Sequence, residues 1–493
     1  MRNRPLRARR LRLSGRLSRT LSAFRPERAV LALGAEFYDP VAPADFPATI
    51  LRFRNDRAAA QIGLDSLSDA DWVRHFGRFQ PLPGSLETPL ALRYHGHQFR
   101  NYNPDLGDGR GFLFAQCREN PGHDQPGRLM DLGTKGSGTT PWSRAGDGRL
   151  TLKGAVREIL ATEMLEALGL HTSRTLSVIE TGEALQRGDE PSPTRSAVLV
   201  RLNHSHVRYG SFQRLAYHQN AEAMQQLVDY CHANLLVTGT GNSPGDAVAL
   251  LDHAVTTAAR LAAQFMAAGF VHGVLNTDNI NITGECFDYG PWRFTPAWSP
   301  DFTAAYFDHQ GLYSFGRQAE ALQWNVFQLG GALRLITPLD AIKPPLAAFA
   351  DRYKAALATA LFARLGVTPR GDAGDTALVK AIEAALVTTQ INPDRFWFDW
   401  RGGARRAASP ADALYDGPDF AAFRAAVAPY AGAVPTHPYW ADAAPCTMLI
   451  DEVEALWAPI AERDDWAPLH AKIAAIRRMG EAMAFSPLPL RER

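Results

Sequence analysis

The stretch "FVHGVLNTDNINITGECFDYG", Phe270 to Gly290, brings two oxygen-bearing side chains into one polar segment. Asn279 and Asp288 offer the hard oxygen atoms that Mg²⁺ prefers as ligands. The part "NINITGECFDYG" predicts two short strands around Thr283 and Gly284, which would return Asp288 to the side of Asn279. The stretch therefore predicts a metal site, although an Asp-Asn pair in a loop can also simply cap a turn.

The same stretch has the spacing of the protein-kinase catalytic loop, H-R-D-x-x-x-x-N, in which the aspartate accepts the proton of the substrate hydroxyl. His272 and Asn279 occupy the outer positions, but Val274 stands where the aspartate would be. Asp278, next to the predicted metal ligand, is the carboxylate that could replace this base. The catalytic geometry is therefore expected to differ from that of an ordinary kinase.

Composition indicates a large folded protein. The 493 residues are 46% hydrophobic and 10% aromatic, enough to bury one large core or several domains. Acidic and basic residues nearly cancel, at a formal net charge of +1, so no global field favours nucleic acid or an anionic membrane. We therefore expect neither as a partner, and a polyanionic ligand would need a local cluster of cations.

The longest apolar run is too polar to predict a membrane span. It extends from Val255 to Leu275 and carries Arg260, Gln264 and His272. Its apolar residues recur at helical spacing, which is typical of a helix packed into a core. The run therefore predicts a buried helix directly before the His272 loop.

The amino terminus is strongly basic. The first 28 residues contain ten arginines and a single acid, Glu27, which is typical of either a mitochondrial transit peptide or a disordered basic leader. We expect a leader over residues 1–32 and a cytoplasmic bacterial setting, with a mitochondrial one as the alternative. The four cysteines form no C-x-x-C pair, which favours a reducing compartment without structural zinc.

The order of elements predicts an α+β protein with a two-lobed, protein-kinase-like fold. "RLMDLGTKGSG" predicts a strand ending at Lys135, "LKGAVREILATEMLEALGL" an amphipathic helix, and "SAVLVRLNHSHVRYGSF" an apolar strand followed by a loop. Alanine-rich helices are expected from Leu346 to Leu386. The expected domains are the leader, an N-terminal extension with the first lobe (33–212), a second lobe with the catalytic and metal-binding loops (213–340), and a helical C-terminal region (341–493).

Two glycine-rich loops of the first lobe are candidates for binding phosphate. "LGDGRG" contains Gly107 and Gly109, whose backbone could approach an anion, and Arg110, whose guanidinium adds donors. On its own this motif is equally typical of a plain hairpin. The second loop, "KGSGTTPWSRAGDGR", begins at Lys135 and ends near Asp147 and Gly148, and its glycines, hydroxyls and cations are hard to explain as a linker.

Charged residues on the neighbouring elements add to this prediction. Lys135 on a strand and Glu158 on a helix match the pair that kinases use to position phosphates, although Glu158 could equally lie on a solvated helix face. Arg201 ends the apolar run "SAVLV", and Arg208 follows it in the loop. A guanidinium near a core needs an anion, so either a neighbouring carboxylate or a phosphate is expected beside Arg201.

Several of these blocks together resemble the selenoprotein O (SelO, or YdiU) family of pseudokinases. The resemblance covers roughly Leu33 to Leu335. The matching blocks, in the family's order, are "YHGHQF" at Tyr94, "LGDGR" at Leu106, "KGSGTTPWSRAGDGR" at Lys135, "RE" at Arg157, "RLNHSHVRYGSF" at Arg201, "HGVLNTDN" at His272, "DYGP" at Asp288 and "WN" at Trp324.

The resemblance implies a kinase-like enzyme that binds ATP in an inverted orientation and transfers AMP to the hydroxyl side chains of proteins. Asp278 would be the proton acceptor, Glu158 would pair with Lys135, and Asn279 and Asp288 would hold Mg²⁺ or Mn²⁺. The residues implied to contact the nucleotide are Gly107, Gly109, Arg110, Lys135, Asp147, Gly148, Arg201, Arg208 and Asp288.

Two other classes of function remain open at this point. One is an atypical kinase that transfers the γ-phosphate with Asp278 as base, and the other is a pseudokinase scaffold that binds ATP without turnover. Retention of Lys135, Asn279 and Asp288 argues against the scaffold. Ala304 stands where relatives often carry a cysteine, which argues against redox control through a cysteine latch.

Overall fold

A nine-stranded antiparallel sheet organises the first half of the chain. The structure is a computed structural model that describes residues 23–120, 127–236, 246–406, 408–432 and 435–483. The strands are β1 (Arg25–Glu27), β2 (Tyr38–Pro40), β3 (Ile50–Arg54), β4 (Leu90–Leu92), β5 (Gly96–Gln98), β6 (Asn101–Asn103), β7 (Leu113–Arg118), β8 (Leu129–Lys135), β9 (Leu150–Thr151), β10 (Arg174–Leu185), β11 (Thr194–Asn203), β12 (Phe270–Val271) and β13 (Arg293–Phe294).

The sheet follows the order β2-β4-β7-β8-β11-β10-β3, with β1 beside β7 and β9 beside β11. β8 is buried along its whole length and ends at Lys135, as predicted. Its neighbour β11 runs through the predicted apolar stretch, and the register sets Lys135 opposite Leu199 and Gly133 opposite Arg201. The two central strands therefore bring Lys135 and Arg201 into one region of the sheet.

Helices make up most of the remainder. They are α1 (Asp56–Gln61), α2 (Asp69–Phe76), α3 (Leu152–Ala167), α4 (Tyr209–Tyr217), α5 (Ala221–Asn234), α6 (Ala247–Ala268), α7 (Gln318–Leu333), α8 (Leu339–Ala347), α9 (Phe349–Leu365), α10 (Ala373–Thr389), α11 (Pro393–Asp399), α12 (Asp412–Asp416), α13 (Ala421–Val427), α14 (Ile450–Arg463) and α15 (Ala467–Met483). Short 3₁₀ helices include Ala29–Leu33 and Thr277–Asn279.

Helix α3 is the predicted amphipathic helix that carries Glu158. Its first turn is capped by the Thr151 hydroxyl, which accepts a hydrogen bond from the Gly154 amide at 3.1 Å. Most of its side chains are buried, because it packs between the sheet and the C-terminal helix α15. Glu158 is buried to 1% exposure, so the solvated alternative for this carboxylate is wrong.

Helix α6 is the predicted buried helix before the His272 loop. The Asp246 carboxylate caps its start, and Gly269 ends it in the left-handed conformation, at φ +68°. The apolar run from Val255 onward therefore continues past the helix, into β12 and the polar loop. Among the described residues, no helix is long and apolar enough to cross a bilayer.

Part of the expected leader is ordered. Residues 1–22 lie outside the described part of the chain, but β1 pairs with β7 and the 3₁₀ helix Ala29–Leu33 buries Val30 and Leu33. The expectation of disorder up to residue 32 is therefore wrong from Arg25 onward. The apolar side chains after the last arginines supply the buried surface that holds this segment on the sheet.

The segment after Asn279 differs from its prediction. It forms no pair of regular strands, and a single bridge joins Ile280 to Cys286 around the turn at Gly284. Its backbone groups bond outward instead: the Ile282 amide donates to the Val207 carbonyl at 2.9 Å and the Cys286 amide to the His171 carbonyl at 2.9 Å. The turn is present, but neighbouring segments compete for its hydrogen bonds.

The apolar core lies in three groups. The first extends from α3 across α6 to α7, and it includes Ile473, Ile476 and Met479 of α15. A second fills the side of the sheet covered by α1 and α2. The third belongs to helices α9 to α13, where the alanine-rich helices were expected. The fold is thus a mixed helix and strand fold around an antiparallel sheet.

Candidate nucleotide-binding site

A pocket of about 780 Å³ opens between the two glycine-rich loops, the sheet and the loop after β12. It brings together residues that are far apart in the sequence. The predicted site residues that line it are Gly107, Gly109, Arg110, Lys135, Asp147, Gly148, Arg201, Arg208, Asp278, Asn279 and Asp288. Glu158 is not among the lining residues, but its carboxylate accepts a hydrogen bond from Lys135, which is.

The pocket concentrates positive charge in a protein that is nearly neutral overall. Seven arginine and lysine side chains and four aspartates are among its lining residues. The cations are Arg110, Lys135, Arg144, Arg149, Arg187, Arg201 and Arg208. This is the local cluster of cations that a polyanionic ligand requires, since clustered charge of one sign in a cleft raises the local potential.

Lys135 is held between two carboxylates. Its Nζ lies 2.5 Å from Glu158 Oε1 and 2.7 Å from Asp288 Oδ1. Arg201 Nη1 reaches the same Asp288 oxygen at 3.1 Å. Of the two partners expected for Arg201, the described structure therefore supplies the carboxylate. Arg201 Nε has no hydrogen-bond partner there although it is buried, so the guanidinium retains donor capacity.

Neighbouring cations lower the pKa of Asp288, and its backbone conformation is unusual. Burial opposes its ionisation, but the charges of Lys135, Arg201 and Arg208 hold the pKa of Asp288 well below its ordinary value. Its backbone adopts φ +66°, in the left-handed region that residues other than glycine rarely occupy. Asp288 is thus an ionised carboxylate in a strained position, as is common at functional sites.

Arg208 is buried at the wall of the pocket. Its guanidinium lies over the Tyr94 ring, 4.2 Å from the centroid, and Nη2 is 3.2 Å from Asp108 Oδ1. The Phe287 ring lies on another side, at 5.1 Å. Aromatic faces and one carboxylate hold the cation in place, so the charge is positioned before any ligand arrives.

Glycines in the two loops allow close packing, both between the loops and within the second one. A Cβ on Gly107 would lie 2.3 Å from the Trp142 ring, and one on Gly148 would lie 2.3 Å from the Gly138 carbonyl carbon. The Thr140 hydroxyl also donates to the Asp108 carbonyl at 2.5 Å. The loops therefore form one packed unit at the pocket's edge, which is a structural reason for the glycines that sequence reasoning had not considered.

Asp278 is a buried carboxylate with an unsatisfied oxygen. It is 7% exposed, and its Oδ1 has no hydrogen-bond partner in the described structure. Gly96 lies directly against it, since a Cβ there would be 3.0 Å from Oδ1. Burial raises the pKa of Asp278 to about 6, partly offset by Arg208. A carboxylate in this state is a good proton acceptor near neutral pH.

The His272 ring makes hydrogen bonds to both ends of the loop. It accepts a hydrogen bond at Nδ1 from the Val274 amide at 3.4 Å, and Nε2 donates to the Phe287 carbonyl at 3.2 Å. Burial lowers the pKa of His272, which keeps the ring neutral and suits both contacts. The histidine therefore positions the loop between Val274 and Asp288.

Asn279 and Asp288, the predicted ligands of Mg²⁺ or Mn²⁺, both line the pocket and carry the oxygen atoms that such ions prefer. The Asn279 amide nitrogen donates to the Val274 carbonyl at 3.0 Å, which leaves the amide oxygen available on the pocket wall to coordinate a cation. Both cation contacts of Asp288 use the same carboxylate oxygen. Within the described residues no group of three or more His, Cys, Asp or Glu side chains is arranged to hold a metal, so a bound ion would also need ligands from the nucleotide.

Several lining residues were not predicted individually. Trp142, Tyr94 and Asp108 were overlooked, although each lies within or beside a glycine-rich or family block. His206 was missed as well: its Nδ1 lies 3.3 Å from Asp131 Oδ2, and its buried Nε2 has no hydrogen-bond partner in the described structure. The signal available was the histidine-rich stretch "NHSH", whose orientation the sequence does not indicate.

A basic pocket with a lysine-carboxylate pair, packed glycine loops and an oxygen-rich loop is typical of a nucleotide-binding transferase. The family model described as "Protein adenylyltransferase SelO" matches residues 21–413, and the chain belongs to this family. The match confirms the predicted family and extends beyond the range of the resemblance in both directions.

Relatives named "Protein nucleotidyltransferase YdiU" are similar over most of the chain. The one from Synechocystis sp. is 42% identical, covering 90% of this chain and 96% of the relative. The one from Gloeobacter violaceus is 43% identical, covering 92% and 95%. The one from Synechococcus elongatus is 51% identical, covering 69% and 68%. The first two alignments include much of the C-terminal region that the resemblance did not reach.

Proposed function

We propose that this chain is a protein adenylyltransferase that transfers AMP from ATP to the hydroxyl groups of Ser, Thr or Tyr side chains and releases pyrophosphate. Family membership supports the class of reaction. The observation that carries the mechanism is the position of Asp278, a buried carboxylate with an unsatisfied oxygen on the pocket wall, whereas Val274 occupies the place of the kinase base.

In this proposal a kinase-like, two-lobed fold holds ATP in the inverted orientation that the resemblance implies, with the lobes meeting near residue 212. Arg201 and Arg208 bind the distal phosphates, because both are buried on the pocket wall and each has an Nε without a hydrogen-bond partner in the described structure. Lys135, held by Glu158, binds a phosphate next to them. The glycine loops with Arg110 and Asp147 surround the rest of the nucleotide.

The reaction requires one bond to form and one to break. The acceptor hydroxyl oxygen attacks the α-phosphorus, and the bond from that phosphorus to the β-phosphate oxygen breaks. Pyrophosphate leaves toward the arginines, which offset its charge. The hydroxyl proton passes to Asp278, whose raised pKa matches this role.

Asn279 and Asp288 would hold Mg²⁺ or Mn²⁺ together with phosphate oxygens of the nucleotide. A divalent ion held there would supply positive charge that offsets the charge of the phosphates. His272 contributes by fixing the loop that carries both ligands.

Two labelled forms of ATP test this function. With purified chain and proteins of a bacterial extract, label in the α-phosphate should appear on protein, and label in the γ-phosphate should appear in pyrophosphate. Transfer of the γ-label to protein without the α-label would establish the atypical kinase instead. Tight ATP binding with no turnover of either label would establish the scaffold.

A further inference from the structure

Three exposed or half-exposed aromatic side chains form a continuous surface beside the pocket. The Phe99 ring lies 5.8 Å from that of Phe307, and the Phe307 ring lies 5.1 Å from that of Tyr306. Tyr306 is 76% exposed and Phe307 is 42% exposed. We refer to Phe99, Tyr306 and Phe307 as the aromatic shelf. Neighbouring exposed aromatic rings are unusual on a protein surface and often mark a binding site.

The shelf is joined directly to the loop that carries Asp278. The Phe99 amide donates to Asn276 Oδ1 at 3.0 Å, and the Tyr313 hydroxyl donates to the same oxygen at 2.7 Å. The His97 amide donates to the Thr277 hydroxyl at 2.7 Å. The hairpin of β5 and β6 is thus bonded to Asn276 and Thr277, the two residues directly before Asp278. Gln98 and Asn276 line the pocket, so Phe99, which follows Gln98, places the shelf at the pocket's edge.

The exposure of Tyr306 and Phe307 is maintained by the fold. Ala304 and Ala305 before them are buried, and the Asp308 carboxylate after them accepts the amides of Leu312 and Tyr313, both at 2.8 Å. The two rings therefore stand between fixed points. The conformation of this loop therefore keeps both rings exposed to solvent.

The tip of the hairpin places Phe99 in an unfavourable backbone conformation. Phe99 has φ +49° and Arg100 has φ +64°, which a two-residue hairpin turn requires and which Asn-Gly adopts more readily. The side chains present are instead a ring on the shelf and a guanidinium paired with Glu320 at 2.8 Å. A bulky residue in this position is consistent with selection for a contact outside the local fold.

We propose that the aromatic shelf binds an extended segment of the acceptor protein, through an apolar or aromatic side chain two or three residues from the modified hydroxyl. The inference rests on the proposed function and names the substrate feature it selects. Gly96 touches Asp278 and Phe99 follows three residues later, a span of about 10 Å along a strand. A hydroxyl at Asp278 therefore leaves its second or third neighbour over the rings. Continuity with the pocket favours this occupant over any other.

Matched acceptor peptides test the proposal. One is an alanine-based peptide with a single serine, and the others carry phenylalanine two or three residues before or after that serine. With α-labelled ATP, we expect at least one phenylalanine peptide to be labelled about tenfold more efficiently than the alanine peptide, measured as kcat/KM. Equal labelling of all the peptides would overturn the proposal.

Variants connect this preference to the shelf. Tyr306→Ser combined with Phe307→Ser should reduce kcat/KM for the phenylalanine peptide to the value for the alanine peptide, with ATP affinity unchanged. Phe99→Asn combined with Arg100→Gly keeps the turn and should have the same effect. Leu339→Ser, which alters an exposed apolar residue on α8, is the control and should leave the preference intact.

The remaining outcomes are also decisive. If the peptides are not labelled but extract proteins are, loss of extract labelling in the double variant, with ATP bound normally, supports the shelf, and unchanged labelling overturns it. A shelf that joins two copies of the chain would show as a dimer that the double variant dissociates, and this would also overturn the proposal. If the wild type labels nothing, the proposed function itself fails.

Discussion

Asp278 combines burial, an unsatisfied oxygen and close contact with glycine. A Cβ on Gly96 would lie 3.0 Å from the carboxylate, which is tighter than an ordinary van der Waals contact. The hairpin that carries Gly96 is also bonded to Asn276 and Thr277, directly before Asp278. The strands, and not the loop sequence alone, thus set the position of this carboxylate. A group that is costly to bury and unpaired in the described structure is a candidate for chemistry on a ligand.

Substitution of Asp278 by Asn should separate chemistry from binding. Asp278→Asn keeps the shape but removes the proton acceptor, so we expect AMP transfer to fall by roughly 10²–10⁴-fold. ATP affinity should change little, because Lys135 and Arg201 remain. Initial rates with α-labelled ATP and calorimetric titration measure the two effects. Asp419→Asn, at an exposed position of the C-terminal region, is the control, and equal loss in both variants would contradict the assignment.

Glu285 is a second buried carboxylate of this loop, but one of its oxygens has a hydrogen-bond partner. It is buried, its Oε2 accepts a hydrogen bond from the His204 amide at 2.8 Å, and burial raises the pKa of its carboxyl to about 7. His171, 3.8 Å away, is neutral because burial holds its pKa well below the ordinary value. Arg128 and Arg174 offset only part of the cost of ionisation. Glu285 is therefore expected to affect stability and not chemistry.

The free energy of unfolding should depend on pH through this residue. In the unfolded chain Glu285 ionises near its ordinary pKa of 4.5, whereas in the folded chain it ionises near 7. Between these values the folded chain holds a proton that the unfolded chain has lost, so stability falls as pH rises through this range. Glu285→Gln should remove this loss and stabilise the protein at pH 8 by up to about 3 kcal/mol, with little effect near pH 4.5.

Urea unfolding of the wild type and of Glu285→Gln at both pH values measures this difference. Comparing the two proteins at each pH cancels the contributions of the buried histidines, which are common to both. A constant difference between the two proteins at the two pH values would contradict the raised pKa.

At the scale of elements, the two glycine-rich loops act as one unit. The Ser143 hydroxyl donates to the Gly109 carbonyl, and the Gly136 amide donates to the Arg110 carbonyl at 2.6 Å. Trp142 is fixed in turn by a hydrogen bond from its indole to Asp39 at 2.9 Å. The wall of the pocket therefore depends on how the loops pack against each other as much as on the backbone amides that could face phosphate.

Gly107→Ala tests this packing. The added methyl group would overlap the Trp142 ring, so the second loop must move, at a cost of about 1–3 kcal/mol. We expect ATP affinity to fall by about tenfold or more, measured by calorimetric titration. Gly331→Ala, on an exposed face of α7 with no atom near the added group, is the control. Normal ATP affinity in Gly107→Ala would show that the loop contact does not shape the site.

At the scale of the whole molecule, the end of the chain supports the helix that carries Glu158. Helix α15 packs on α3, and Arg477 binds Glu163 there with contacts of 2.6 and 2.8 Å. Glu163 is 3% exposed, so removal of its partner would leave a buried charge unpaired. The neighbouring Arg478 binds Asp442 instead, in a pair whose side chains are about 40% exposed. Two adjacent arginines thus make ion pairs of different burial.

Alanine substitutions of these two arginines should have unequal effects. Arg477→Ala should lower the free energy of unfolding by about 2 kcal/mol, somewhat less than for a fully buried pair because Arg477 is partly exposed. Arg478→Ala should cost less than about 1 kcal/mol, as solvent-exposed pairs do. Urea unfolding measures both. Equal losses would mean that the burial of Glu163 does not determine the effect.

The strongest elements were predictable because their signals are local. Strand β8 ends at Lys135, α3 spans the predicted amphipathic segment, and α6 precedes the His272 loop, all as predicted. Each was predicted from an apolar run or a helical periodicity that lies within the element itself. The segment after Asn279 was predicted less well. Its hydrogen bonds go to Val207 and His171, and partners so distant in sequence leave no local pattern.

The sequence by itself determined the family, the central strands and helices, and the types of residue that line the pocket, because glycine loops, cations and oxygen-bearing side chains are recognisable by type and spacing. The tertiary structure alone decided which charges meet. It set Lys135 and Arg201 on one oxygen of Asp288, and it placed the strand at Gly96 against Asp278. These contacts join residues far apart in the chain, and their geometry follows from strand register and core packing, which one sequence read locally does not contain.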